Sequence, residues 1–156
     1  EVTLIELAST RDGAWLVFAA SPDGSTQSLH AISLDADGKP VAPAVALGTA
    51  SSNGEPAYEG EPIRPRPFTT AVVGDDLAVA WADPDAPSRP IEIQLVHRDG
   101  TLGAHTSFSA PGAQDRIDLL NLASDPDRRG LIVSWEGGSF AARSPGMARV
   151  DCLSAD

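Results

Sequence analysis

One phrase is written three times in this chain: DGAWLVFAAS from Asp12 to Ser21, DDLAVAWADP from Asp75 to Pro84, and RGLIVSWEGG from Arg129 to Gly138. The copies align on an aromatic residue, Phe18, Trp81 and Trp135, at spacings of 63 (18 to 81) and 54 (81 to 135). Such a repeat restricts the fold more than composition does. Each copy must be the same supersecondary unit, and each must stack on its neighbours to bury what it cannot bury alone. Leu16 and Phe18, Val79 and Trp81, and Val133 and Trp135 alternate with Val17, Ala80 and Ser134. A period of two in β-branched and aromatic side chains predicts a strand.

The likeness extends beyond the phrase. A strand and a turn precede each copy: EVTLIELASTRDG, PFTTAVVGDD and RIDLLNLASDPDRRG. A turn-rich gap follows it: SPDGSTQS, DPDAPSRP and GGSFAARSPG. Then comes another strand, in LHAISLDADG, IEIQLVHRDG and GMARVDCLSAD. Asp37–Gly38 and Asp99–Gly100 close the first two of these with a hairpin signal. A further strand, APAVALGT or HTSFSAPG, ends the first two units. Each full unit is thus four antiparallel strands in about 50 residues. The units run over residues 1–50, 63–112 and 113–156, with an irregular insertion at 51–67. DRIDLLNLAS is the one stretch with any helical character, and its match to the other first strands argues against a helix.

Composition agrees with an all-β domain. Gly (14) and Pro (13) are plentiful, as many short strands and turns require. With 42% hydrophobic and 21% charged residues, a chain of 156 residues can bury a core. The net charge of −11 repels phosphate backbones and anionic membrane surfaces, so nucleic acid is not an expected partner. No apolar run is long enough for a transmembrane helix. The single cysteine, Cys152, excludes an internal disulfide, and between Val150 and Leu153 it reads as a buried thiol. The chain opens on EVTLIE, without Met and without a leader. It reads as a processed chain from which any export signal is already gone.

Repeated four-stranded units of this length resemble the blades of bacterial secreted β-propellers of the sialidase-like and kelch-like kinds, in which an apolar strand ending in Trp is followed by Asp-Gly. The resemblance covers nearly the whole chain. SPDGST, from Ser21 to Thr26, is similar to the sialidase Asp-box, but its glycine sits one place early and the aromatic is missing. The resemblance implies β-propeller-like blades. Known propellers close with roughly four to eight, so three leave apolar blade faces open to another chain or copy, or belong to a fragment of a longer protein. The competing arrangement is a self-contained β-sandwich.

Candidate ligand-binding residues are few. Arg66 and Arg116 hold matching places just before the first strands of the second and third units. Two guanidiniums there could grip a carboxylate or phosphate in bidentate fashion, with Arg64 and Tyr58 of the insertion beside them. The resemblance to sialidases, which bind a carboxylate with an arginine cluster, favours such a site. Against it stand the broken Asp-box, the missing tyrosine–glutamate pair and the pairing of the arginines with acids such as Asp115. SLDADGKP, from Ser33 to Pro40, begins like a calcium loop and makes Asp35 and Asp37 weak Ca²⁺ candidates. An EF-hand loop places glutamate at its twelfth position; counted from Ser33 that position is Ala44, so a hairpin turn is the better expectation. His30, His97 and His105 show no ligand spacing. No nucleophile elbow and no phosphate-cradling glycine loop occurs.

The expectation is therefore a non-catalytic binding or assembly module, extracytoplasmic, that recognises a protein or glycan, with a protein partner or another copy completing its β architecture. Two alternatives compete with it. One is a sialidase-like glycoside hydrolase fragment. The other is a lectin, for which Trp15, offset from the Leu16/Phe18 face, is the spare aromatic.

Overall fold

The structure, a computed structural model, describes residues 2–20, 27–50, 68–82, 90–110, 117–125, 130–139 and 142–151. These residues form three antiparallel sheets and no helix. The first holds β1 (Val2–Thr10), β2 (Gly13–Ala20), β3 (Gln27–Asp35) and β4 (Val45–Ala50) in chain order. The second holds β5 (Phe68–Val73), β6 (Asp76–Ala82), β7 (Ile91–Val96) and β8 (Leu102–Phe108), again in order. The third holds β9 (Ile117–Asp125), β10 (Gly130–Ser139) and β11 (Ala142–Val150). The chain is an all-β protein built of repeated antiparallel meanders. DRIDLLNLAS contributes β9 as a strand.

The turns follow the Asp-Gly signals. Gly38 and Gly100 have φ of 77° and 84°, a region that glycine adopts without steric cost. The Gly38 amide donates to the Asp35 carbonyl (3.0 Å), and the Gly100 amide to the His97 carbonyl (2.8 Å). Each turn is closed a second time at its mouth. The Asp35 amide donates to the Lys39 carbonyl, and the His97 amide to the Thr101 carbonyl, both at 2.8 Å. This is the hairpin geometry of a type I turn continued by a left-handed residue.

The third unit departs from its reading. The stretch expected as a gap, GGSFAARSPG, is mostly ladder: Gly137 faces Ser144, Gly138 faces Arg143 and Ser139 faces Ala142. Small residues let the two strands continue towards each other. Pro145 is tolerated because β11 is an edge strand, where a missing N–H breaks no second ladder.

The sheets stack face to face in chain order. Between the first and second lie Trp15, Val17, Leu29 and Ala31 on one side and Leu77, Val79, Trp81 and Val96 on the other. Between the second and third lie Ala78, Ala80, Ile91 and Ile93 against Leu120, Leu131, Val133 and Trp135. The middle sheet is covered on both faces, so every residue from Leu77 to Trp81 is buried. That explains why this phrase is apolar without interruption. In β2 only alternate residues are buried. Each fully buried Leu, Ile or Val is worth about 1.5–3 kcal/mol of transfer free energy.

Polar contacts fix the stacking. Among first strands, β1 lies beside β5, and β5 beside β9. The Thr70 hydroxyl donates to Glu6 Oε1 (2.6 Å) between the first and second sheets. The Trp15 indole N–H donates to the Asp75 carbonyl (3.2 Å), and the Ser33 hydroxyl to the Arg98 carbonyl (2.9 Å). First strands side by side and sheets stacked in sequence make a blade-like arrangement. Among the described residues the stack does not close on itself.

Candidate interaction surface

The repeat assigns an equivalent face to each sheet, and among the described residues one of those faces has no sheet over it. Val79 and Trp81 point from the second sheet towards the first. Val133 and Trp135 point from the third towards the second. The aligned pair in the first sheet, Leu16 and Phe18, therefore points away from the stack, because Trp15, Val17 and Ala19 are the buried set. Here the reading of Trp15 as a spare aromatic is corrected. It is 1% exposed and belongs to the core between two sheets. Alternation separates the two faces of a strand, but it does not say which of them has a neighbour.

The face of Leu16 and Phe18 is largely apolar, with His30 at its centre. One row of cross-strand partners runs Ile5, Phe18, His30, Ala46, and the next runs Leu7, Leu16, Ile32. Ile5 is 65% and Leu7 62% exposed. The Phe18 and His30 rings stack with centroids 5.2 Å apart and planes 16° from parallel, which stiffens the centre of the patch. Large contiguous apolar patches are uncommon on the surfaces of soluble monomers. Sequence reasoning anticipated open blade faces in general. The alignment of Phe18 with the two buried tryptophans was the signal that could have named this one.

The opposite end of the stack is different. The outer face of the third sheet carries the rows Asn121, Ser134, Met147 and Ala123, Ile132, Arg149. Met147 is 74% exposed and Ile132 36%. Arg149 bridges to Asp125 (3.2 Å) and to Asp151, and its pairing with Asp151 raises its already high pKa.

The remaining polar groups serve the frame. Asp35 Oδ1 accepts from the amides of Asp37 (2.9 Å) and Lys39 (2.8 Å), so this carboxylate is engaged by its own turn. Asp37 sits 3.8 Å from the Lys39 ammonium. Asp99 does for the β7–β8 turn what Asp35 does for its own. It accepts from the Thr101 amide and hydroxyl, and those bonds hold its pKa below the ordinary carboxylate value. His97 Nδ1 meets Asp76 Oδ2 at 2.9 Å. Glu92 takes the Ser107 hydroxyl (3.0 Å) and His105 Nε2 (2.8 Å). Ser107 thus donates to the carboxylate rather than to the imidazole, which is not the order that activates a nucleophile.

Among the described residues, no three His, Cys, Asp or Glu side chains lie together in a way that could hold a metal ion. Nor is any helix there long and apolar enough to cross a membrane. Arg64, Arg66, Arg116 and Tyr58 lie outside the described residues, as do Cys152 and the whole insertion. Comparison with known proteins adds no relative: no family model matches the chain, and no curated protein or solved structure matches it either.

Proposed function

We propose that the chain is a non-catalytic binding and assembly module, exported from the cytoplasm, that engages a protein partner through the open face of its first sheet. The observation that carries this reading is the position of Leu16 and Phe18. They repeat, on an uncovered surface, the register of two pairs that the chain buries elsewhere. The likeness to blades of secreted propellers supports a partner that extends the stack, and an extracytoplasmic place for the chain rests on that likeness. The low aromatic content of the chain, 5%, and the exposed aliphatic Ile5 and Leu7 favour a protein over a glycan, since sugars are held by polar groups and stacked aromatics.

The test is a double variant, Ile5→Glu with Leu7→Glu, which places charge on two exposed positions and leaves the core intact. The wild type is expected either to associate or, when alone, to bind an apolar fluorescent dye. The variant is expected to lose that behaviour with an unchanged strand signature by circular dichroism. Association and dye binding that survive both charges overturn the reading, as does fold-dependent turnover of a chromogenic glycoside.

A further inference from the structure

We infer that the partner of the open face is a second copy of this chain, which lays the outer face of its third sheet over Ile5, Leu7, Leu16 and Phe18. The inference rests on the reading above, that this face is an interaction surface, and it names what covers it.

The chain itself shows what covers such a face. Val79 and Trp81 are met by β2 and β3 of the sheet before them, through Trp15, Val17, Leu29 and Ala31. Val133 and Trp135 are met by β6 and β7 through Ala78, Ala80, Ile91 and Ile93. In both interfaces the covering surface is the other face of the same repeated unit, with Gly48 against the Trp81 ring and Phe108 against the Trp135 ring. Among the described residues the equivalent surface with no sheet over it is the outer face of the third sheet, a more polar one that carries Asn121, Ser134 and Arg149 beside Ile132 and Met147. There Ser134 holds the place of Val17 and Ala80, and Ile132 holds the place of Trp15 and Ala78. Ala123 and Ser134 are small; Ile132 and Met147 supply the apolar contact and are exposed in the single chain. The two ends of the stack are therefore the two halves of the interface that the chain already makes twice.

Two copies joined in this way satisfy both open faces at once. The third sheet of each covers the first sheet of the other, and the assembly closes with two-fold symmetry. Two sets of three sheets also bring the ring within the roughly four to eight blades at which propellers close. Arg149 stands on the outer face of the third sheet next to Ile132, paired with Asp125 and Asp151. Its guanidinium is thus engaged by two carboxylates, a polar cluster that suits the rim of an apolar contact.

Light scattering over a range of concentrations tests the inference on the wild-type chain, on Leu7→Glu and on Met147→Glu. Both substitutions fall on exposed positions, so the fold survives them. The wild type is expected at about twice the 16.2 kDa of one chain, without further growth. Each variant is expected to weaken the dimer at least about 30-fold, the effect of spoiling a central contact. An equimolar mixture of the two regains a weaker dimer, because each supplies the face that the other has lost. If Leu7→Glu dissociates the wild-type dimer and Met147→Glu does not, the open face is an interaction surface but pairs first sheet with first sheet, and the head-to-tail assembly falls. A mass that climbs past the dimer overturns the closed ring. A wild-type monomer overturns the second copy; if it binds an apolar dye that Leu7→Glu abolishes, the face remains a surface for a different protein. A monomer indifferent to dye overturns both readings.

Discussion

The Trp135 indole fills the space in which a side chain at position 146 would stand. The two residues face each other across the β10–β11 ladder, and a Cβ on Gly146 would come within 2.3 Å of indole Cε2. Gly48 has the same relationship to Trp81, at 2.9 Å from Cζ2, but there the tryptophan belongs to the neighbouring sheet. Gly146→Ala must therefore push the ring or the edge strand aside. A loss of about 1–3 kcal/mol in chemical denaturation is expected, the usual cost of overpacking.

The two faces of the stack should answer oppositely to substitution. Ile93 is fully buried between the second and third sheets, and Ile93→Ala should cost about 2–5 kcal/mol of unfolding free energy. Ile5 is 65% exposed, so Ile5→Ser should change the stability of the single chain by no more than about 0.5 kcal/mol. Denaturant titration of the two variants side by side checks the contrast.

Trp15 joins the first sheet to the β5–β6 turn through its indole N–H and the Asp75 carbonyl. Trp15→Phe keeps an aromatic ring in the core and removes the donor. A loss of about 0.5–1.5 kcal/mol from the missing bond is expected, before any cost of the smaller ring. A variant as stable as the wild type would show that the bond contributes nothing net.

Much of this architecture is legible in the residues, and the part that is not has a physical cause. Leu16/Phe18, Val79/Trp81 and Val133/Trp135 mark the central strands, and Asp37–Gly38 and Asp99–Gly100 mark two hairpins in the places where they occur. The facing of Trp15 was not legible. A blade buries both sides, so apolar residues fill both phases of the alternation, and period two loses its polarity. The start of β11 was hidden for a different reason: Gly, Ser and Pro suggest a loop, yet an edge strand accepts all three. As for the site, three units predicted open faces, but only the stacking direction decides that the face of Phe18 is the bare one. Arg66 and Arg116 hold matching positions in the repeat, Arg64 and Tyr58 belong to the insertion, and all four fall outside the described residues.

Asp99 gives the β7–β8 turn a modest dependence on pH. Its carboxylate pKa is lowered by the Thr101 hydroxyl and then by the Thr101 amide. A carboxyl with a lowered folded-state pKa contributes stability above its unfolded pKa. That contribution is lost as pH falls through the lower, folded value. Thermal melts between neutral and strongly acid pH should show this loss in the wild type, and Asp99→Asn should remove that part of the acid sensitivity. Because the group is exposed, the effect should be small and should shrink further in high salt.

Each described sheet is made of consecutive strands, and hydrogen-bonded ladders stay within it. Its closure entropy is therefore that of short hairpins, and among the described residues coupling between sheets runs through side-chain packing and hydrogen bonds from side chains. Such a molecule behaves as three linked cooperative units, each stabilised by itself and by its nearest neighbours. The middle unit has two neighbours and the outer units one each, so opening should begin at the ends and reach β6 last. The amides of Leu77 to Trp81 would then exchange with solvent only on global unfolding. Capping either end should slow exchange throughout the array, with no contact to its centre.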